Sequence, residues 1–208
     1  MSTKPSRPTP EQIRDADSFP AVEPPSRNQP PPSASMRGII DGLLQGSLVD
    51  LCQAYGVACA PLPRDPRKEL APFPDVSAVI GFTSASSGVK ANGRLSLSMS
   101  AQIMEAMQAD SGLQTRHPDW SRELVNQLMG RFKNRLLPYG INLQAGLPSS
   151  IGRDALQGQL AGAEARRVYR ARTLHGEVVA ALEGSLNESE LVYVGPAVTA
   201  SEGELILF

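Results

Sequence analysis

Asp119-Trp-Ser-Arg-Glu123-Leu-Val-Asn126-Gln-Leu-Met-Gly130-Arg-Phe-Lys-Asn-Arg-Leu-Leu137 is the most strongly patterned stretch of the chain. Stepped at about 100° per residue, it gathers Leu124, Val125, Leu128, Met129, Phe132 and Leu136 on one side. That is the apolar stripe an amphipathic helix buries. Pro138 and Gly140 stop the helix, as expected for residues that cannot continue one. The opposite side carries Asp119, Glu123, Asn126, Gln127, Gly130 and Asn134. Glu123 and Asn126 stand three residues apart, so a carboxylate and a carboxamide project side by side. A glycine inside a helix costs about 1 kcal/mol relative to alanine, so Gly130 implies close approach to that surface. The approaching group is either a neighbouring element of the same chain or another molecule, and composition alone also fits an ordinary solvated face.

Working outward, apolar residues at three- and four-residue intervals predict a helix over 39–55, ending near Gly56. Residues 56–61 read as extended, and 61–74 as a proline-punctuated loop. Residues 76–82 and 93–99 read as two strands of a hairpin, the second with clear period two, joined by a Ser/Gly turn over 83–90. A helix over 100–109 and a loop over 112–118, containing His117, lead into the patterned stretch. Beyond it, 141–145, 165–173, 177–182, 191–194 and 204–208 read as strands. Residues 37–208 therefore form one α+β domain, a mixed or antiparallel sheet with packed helices. Pro5, Pro8, Pro10, Pro20, Pro24, Pro25, Pro30, Pro31 and Pro32 fall in the first 32 residues, so residues 1–36 read as a disordered Pro/Ser-rich tail.

Several function classes are excluded or disfavoured. Twenty Lys and Arg against 21 Asp and Glu give a net charge of −1, with no general basic field for nucleic acid. The run Arg166-Arg167-Val-Tyr-Arg170-Ala-Arg172 reads instead as a solvated edge strand guarded by its charges. No stretch is apolar enough to span a membrane, and the N-terminus lacks the apolar run of a secretory signal, so a cytoplasmic location is expected. Cys52 and Cys59 read as small buried apolar residues, and with only His117 and His175 there is no zinc set. Residues 81–88 lack the lysine of a phosphate-cradling loop, and no Ser/His/Asp site assembles. Trp120 and Phe132 read as core.

The pattern Asp119, Glu123, Asn126, with Pro148 further on, resembles the signature of the CheC/CheX/FliY phosphatases, which act on the phosphorylated response regulator CheY of bacterial chemotaxis. Gly130 and Lys133 are similar to the CheX-type continuation, as is the earlier strand Val76-Ser-Ala-Val-Ile-Gly-Phe82 with its glycine. CheC-type chains carry two such helices. The 39–55 helix has Asp41, Gln45 and Gln53 but no Glu-x-x-Asn, so the single motif is closer to CheX.

The resemblance implies a CheX-like fold and a phosphatase of an aspartyl phosphate. Asn126 would hold the attacking water and Glu123 would pair with the regulator's lysine. Gln127 and Gly130 would line the contact, Asp119 would serve the helix start, and Pro148 would shape the chain beside the helix. The implied partner is a phosphorylated CheY-like regulator, with a homodimer also suggested by the likeness to CheX. No metal or cofactor is expected on this chain; Mg2+ would belong to the phosphorylated partner. A second reading keeps the fold and docks a receiver domain without catalysis.

Overall fold

Ala78, Ile80 and Phe82 alternate with Ser77, Val79 and Gly81, and successive side chains of a strand point to opposite faces. In the computed structural model they lie on β2 (Val76–Ser84), paired antiparallel with β3 (Ala91–Met99) in the register Val76↔Met99 to Thr83↔Asn92. The structure describes residues 38–65, 67, 69, 71–84, 90–111, 117–163, 165–186 and 191–196. The 1–36 tail, most of the turn joining β2 to β3, and the 204–208 strand expectation lie outside these residues.

In chain order the elements are α1 (Ile39–Ala54), β1 (Cys59–Pro61), β2, β3, α2 (Ala101–Ser111) and α3 (His117–Leu136). They continue with β4 (Leu143–Ala145), β5 (Ser149–Ile151), α4 (Arg153–Gly162), β6 (Arg166–Thr173) and β7 (Gly176–Leu186). The sheet order is β1-β6-β7-β3-β2-β4, with β5 also on β2, and every pairing is antiparallel. Strands β4 and β5 lie end to end along β2, and between them Gly146 N–H donates to the Gly81 carbonyl at 2.8 Å.

One sheet face supplies Ala78, Ile80, Leu95, Leu97, Tyr169, Ala171, Ala180 and Leu182 to the main core. Helices α1, α2 and α3 cover it with Leu44, Leu48, Leu51, Met104, Leu124, Leu128 and Phe132 among others. The other face holds a smaller cluster in which Leu156 and Leu160 of α4 meet Phe73, Val168, Val179 and Ala181. Trp120 and Phe132 are core, as expected; Cys52 is buried but Cys59 only half-buried, and both thiols are free.

Several expectations are corrected. Strand β6 is not a free edge along its whole length: β1 pairs with it over 171–173, and Arg166, Arg167 and Arg170 are held by this chain while Arg172 is exposed. Arg167 and the Tyr169 hydroxyl both donate to Asp41 of α1, at 3.0 and 2.5 Å, while Arg170 donates to Glu177 and to the Ala71 carbonyl. Residues 191–194 join no strand. Leu191 is buried, Val194 N–H donates to the Pro138 carbonyl at 2.8 Å, and Tyr193 packs edge-on against Tyr139, so the segment straps the end of α3. Residues 141–142 precede β4 instead of belonging to it. His117 is the first residue of α3, not a loop residue, because proline is tolerated in a first helical turn. Helix α4 and β5 carried too weak a signal to be expected: α4 buries only Leu156 and Leu160 and contains Gly158.

Gly93 and Gly184 pair across β3 and β7, where the strands press together. A Cβ on Gly93 would collide with the Glu183 carbonyl oxygen, and one on Gly184, whose φ is +115°, with that of Asn92. Backbone on both sides leaves no soft neighbour to yield. Gly93→Ala is expected to destabilise the fold by at least about 2 kcal/mol, read as a lower midpoint in urea unfolding.

Candidate functional site

Helix α3 is positioned by contacts at both of its flanks. Its apolar face lies on β2 and β3, and Ser150 of β5 donates to the Pro118 carbonyl at 3.1 Å, fixing the helix start beside the sheet edge. On its other flank it meets α1. Tyr55, just after α1, packs edge-on against Trp120 with ring centroids 5.3 Å apart, and Arg135 pairs with Asp50 at 2.5 Å. These contacts fix which side of α3 faces solvent.

Glu123 and Asn126 are both on that solvent-facing side and both exposed. Among the described residues no group hydrogen-bonds the Asn126 amide, so its oxygen and nitrogen are free to meet water or another protein. Among the described residues the Glu123 side chain has one partner: Gln127 Nε2 donates to its Oε1 at 2.9 Å. Gly130 lies one turn beyond Asn126, and a Cβ built there meets nothing within 4 Å. Of the two explanations for this glycine, a neighbouring element of the same chain therefore finds no support among the described residues.

The remaining residues of the motif sit close by. Asp119 is in the first turn of α3, where the helix dipole favours a carboxylate, and it pairs with the Arg122 guanidinium. Pro148 is half-buried between β4 and β5, beside exposed Leu147. Gln127 differs from its exposed neighbours. It is half-buried, and its Oε1 accepts from the Tyr55 hydroxyl at 2.8 Å and from Arg131 at 3.3 Å. That engagement depends on Tyr55, 72 residues earlier, and no spacing rule along α3 reveals it.

Chemically, the surface offers a neutral donor–acceptor and a carboxylate. Ser121, the hydroxyl nearest in sequence, is buried with its proton on the Pro118 carbonyl, so it supplies no nucleophile. Among the described residues no cluster of three His, Cys, Asp or Glu could hold a metal ion, and no helix is long and apolar enough to cross a membrane. Of the polar residues of α1, Asp41 and Gln45 are taken up by its own chain, while Gln53 is exposed. Asp41 binds Arg167 and Tyr169, and Gln45 donates to the Leu62 carbonyl at 3.1 Å, so α1 presents no second Glu/Asn surface.

A sheet with a solvent-facing Glu/Asn pair on its long covering helix is the arrangement the helix motif implies. Solved structures agree with the fold. A chemotaxis protein CheX from Desulfovibrio desulfuricans superposes with TM-score 0.53 and 19% identity, over 72% of this chain and 99% of that one. A CheC-like superfamily protein from Shewanella sp. PV-4 gives TM-score 0.57 and 15% identity over 71% and 98%. A CheX–CheY–BeF3–Mg2+ complex from Borrelia burgdorferi gives 0.50 and 11% over 73% and 99%. No family model and no curated protein sequence matches the chain. The chain has the fold of the CheX and CheC-like chemotaxis proteins. Within that fold, among the described residues, its one Glu-x-x-Asn pair lies on α3.

Proposed function

We propose that this chain accelerates hydrolysis of the aspartyl phosphate on a CheY-like response regulator. The observation that carries the reading is the exposed, side-by-side Glu123 and Asn126, the latter with an unengaged amide, on a fold shared with a CheX bound to CheY and BeF3. Phosphoryl transfer asks a helper for positioning more than for acid–base work. A carboxamide can accept from a water and donate to a phosphoryl oxygen without titrating near neutrality. Asn126 would hold that water in line with phosphorus. The water oxygen bonds to phosphorus as the bond to the aspartyl oxygen breaks, and inorganic phosphate and the free carboxylate are released. Glu123 would pair with the regulator's lysine and set how deeply α3 enters. The magnesium ion belongs to the phosphorylated partner.

The test is phosphate release from a CheY-type receiver domain charged with acetyl phosphate, with and without the chain. Capture of the receiver without faster release would favour the adaptor reading. The suggested homodimer is tested by sedimentation of the purified chain.

Gly130 supplies a separation of the two roles. With open space at its Cβ, Gly130→Ala is expected to stabilise the helix by about 1 kcal/mol. If the glycine clears room for the regulator's loops, the same change raises the half-saturating concentration of phosphorylated regulator several-fold. A higher melting temperature together with weaker docking is the expected pair of results. Unchanged docking removes Gly130 from the contact.

A further inference from the structure

The bonds behind Glu123 have no part in the hydrolysis described above. Gln127 lies one turn beyond Glu123 on α3, half-buried against the end of α1. Its oxygen accepts from the Tyr55 hydroxyl and from Arg131, while its nitrogen donates to Glu123. A flip would set the NH2 group against the Arg131 guanidinium, which has no acceptor, and the oxygen against the Glu123 carboxylate, which has no donor, so the observed orientation is held. Tyr55 is itself fixed. Its ring packs edge-on against Trp120, a core residue only 2% exposed, and its backbone N–H donates to the Cys52 carbonyl at 3.1 Å as α1 ends.

We infer that Tyr55 and Gln127 form a positioning device for Glu123. An exposed glutamate ordinarily samples many rotamers and loses that freedom when it docks. Here Oε1 is tied back along the helix, and Oε2, which makes no bond to the described residues, is left for a cation of the partner. Neither Tyr55 nor Gln127 touches the reacting atoms. The identity of that cation, a receiver-domain lysine, rests on the proposed function; the bond chain from the core ring of Trp120 to the exposed carboxylate does not.

The test uses the full chain and the variants Tyr55→Phe and Gln127→Leu, each alone and combined with Glu123→Ala. Tyr55→Phe deletes one oxygen and keeps the ring on Trp120. It is expected to raise the half-saturating concentration of phosphorylated receiver about 3- to 10-fold, the range for freeing one side chain at an interface, with turnover at saturation within twofold. Gln127→Leu should do at least as much. In the Glu123→Ala background Tyr55→Phe should not change the half-saturating concentration further. The side-chain amide resonances of Gln127 should shift in both Tyr55→Phe and Glu123→Ala. Effects of equal size with and without Glu123 would mean that the pair only ties α1 to α3, and would overturn the inference. So would unchanged docking together with unchanged Gln127 resonances. If the wild-type chain gives no acceleration at all, the phosphatase reading fails alone. The Gln127 resonances and affinity for a beryllofluoride-loaded receiver then decide the positioning role, on the same two criteria.

Discussion

Asn126→Ala is expected to remove at least about 100-fold of the acceleration of phosphate release, the scale on which lost alignment of a reacting group is felt. The fold should be untouched. The Asn126 side chain is exposed and makes no hydrogen bond to the described residues, and alanine is the better helix former, so stability should stay within about 0.5 kcal/mol of wild type or rise. Docking should persist, because Glu123 and the rest of the α3 face remain. Asn126→Asp sharpens the point. It keeps the shape and one acceptor but exchanges the NH2 donor for negative charge, which opposes a phosphoryl group. It should be as inactive as alanine and dock less well. The measurement is a time course of inorganic phosphate from a pre-charged receiver domain. Release as fast as with wild type would reject Asn126 as the water-holding group and leave only a docking role for the helix.

How much of this was legible beforehand depends on whether the signal is local. The α3 face was readable because helical period, the Pro138–Gly140 stop and the Glu123/Asn126 spacing all lie within one short stretch. The β2–β3 hairpin was readable for the same reason, since the apolar run over 76–82 and the alternation over 93–99 are each local signals joined by a Ser/Gly turn. The second sheet face was not. Leu156 and Leu160 alone, spaced around Gly158, give α4 no stripe to recognise, although with Phe73 and Val168 they close a small core. The arginines of β6 misled because charge on a strand suggests an edge, whereas Asp41 of α1 and Glu177 of β7 neutralise them from within. The continuous apolar run over 191–194 met the end of α3 rather than a neighbouring strand. The environment of Gln127 was hidden for a related reason: its oxygen is claimed by Tyr55, which only the packing of α1 on α3 brings near.

Glu123→Lys should have the second large effect, and on a different quantity. In the proposed pose the carboxylate faces a lysine in the regulator's cleft; the variant would set two cations against each other where water is largely excluded. Like charges in such a place cost several kcal/mol, so the half-saturating concentration should rise about 100-fold or more. Glu123→Gln should fall between, since it loses the charge but keeps the shape and a hydrogen-bonding oxygen. Raising the salt concentration should narrow the gap between wild type and Glu123→Lys, because screening weakens both the native attraction and the engineered repulsion. Since Glu123 is exposed and, among the described residues, its side chain is bonded to Gln127 alone, the melting temperature should move little. Titration of the beryllofluoride-loaded receiver against each variant at two salt concentrations reads all of this directly. If Glu123→Lys bound as tightly as wild type, Glu123 would have no cation opposite it and the docking pose would be wrong. Asn126 could then still act on a phosphoryl group, but only with the helix entered in another orientation.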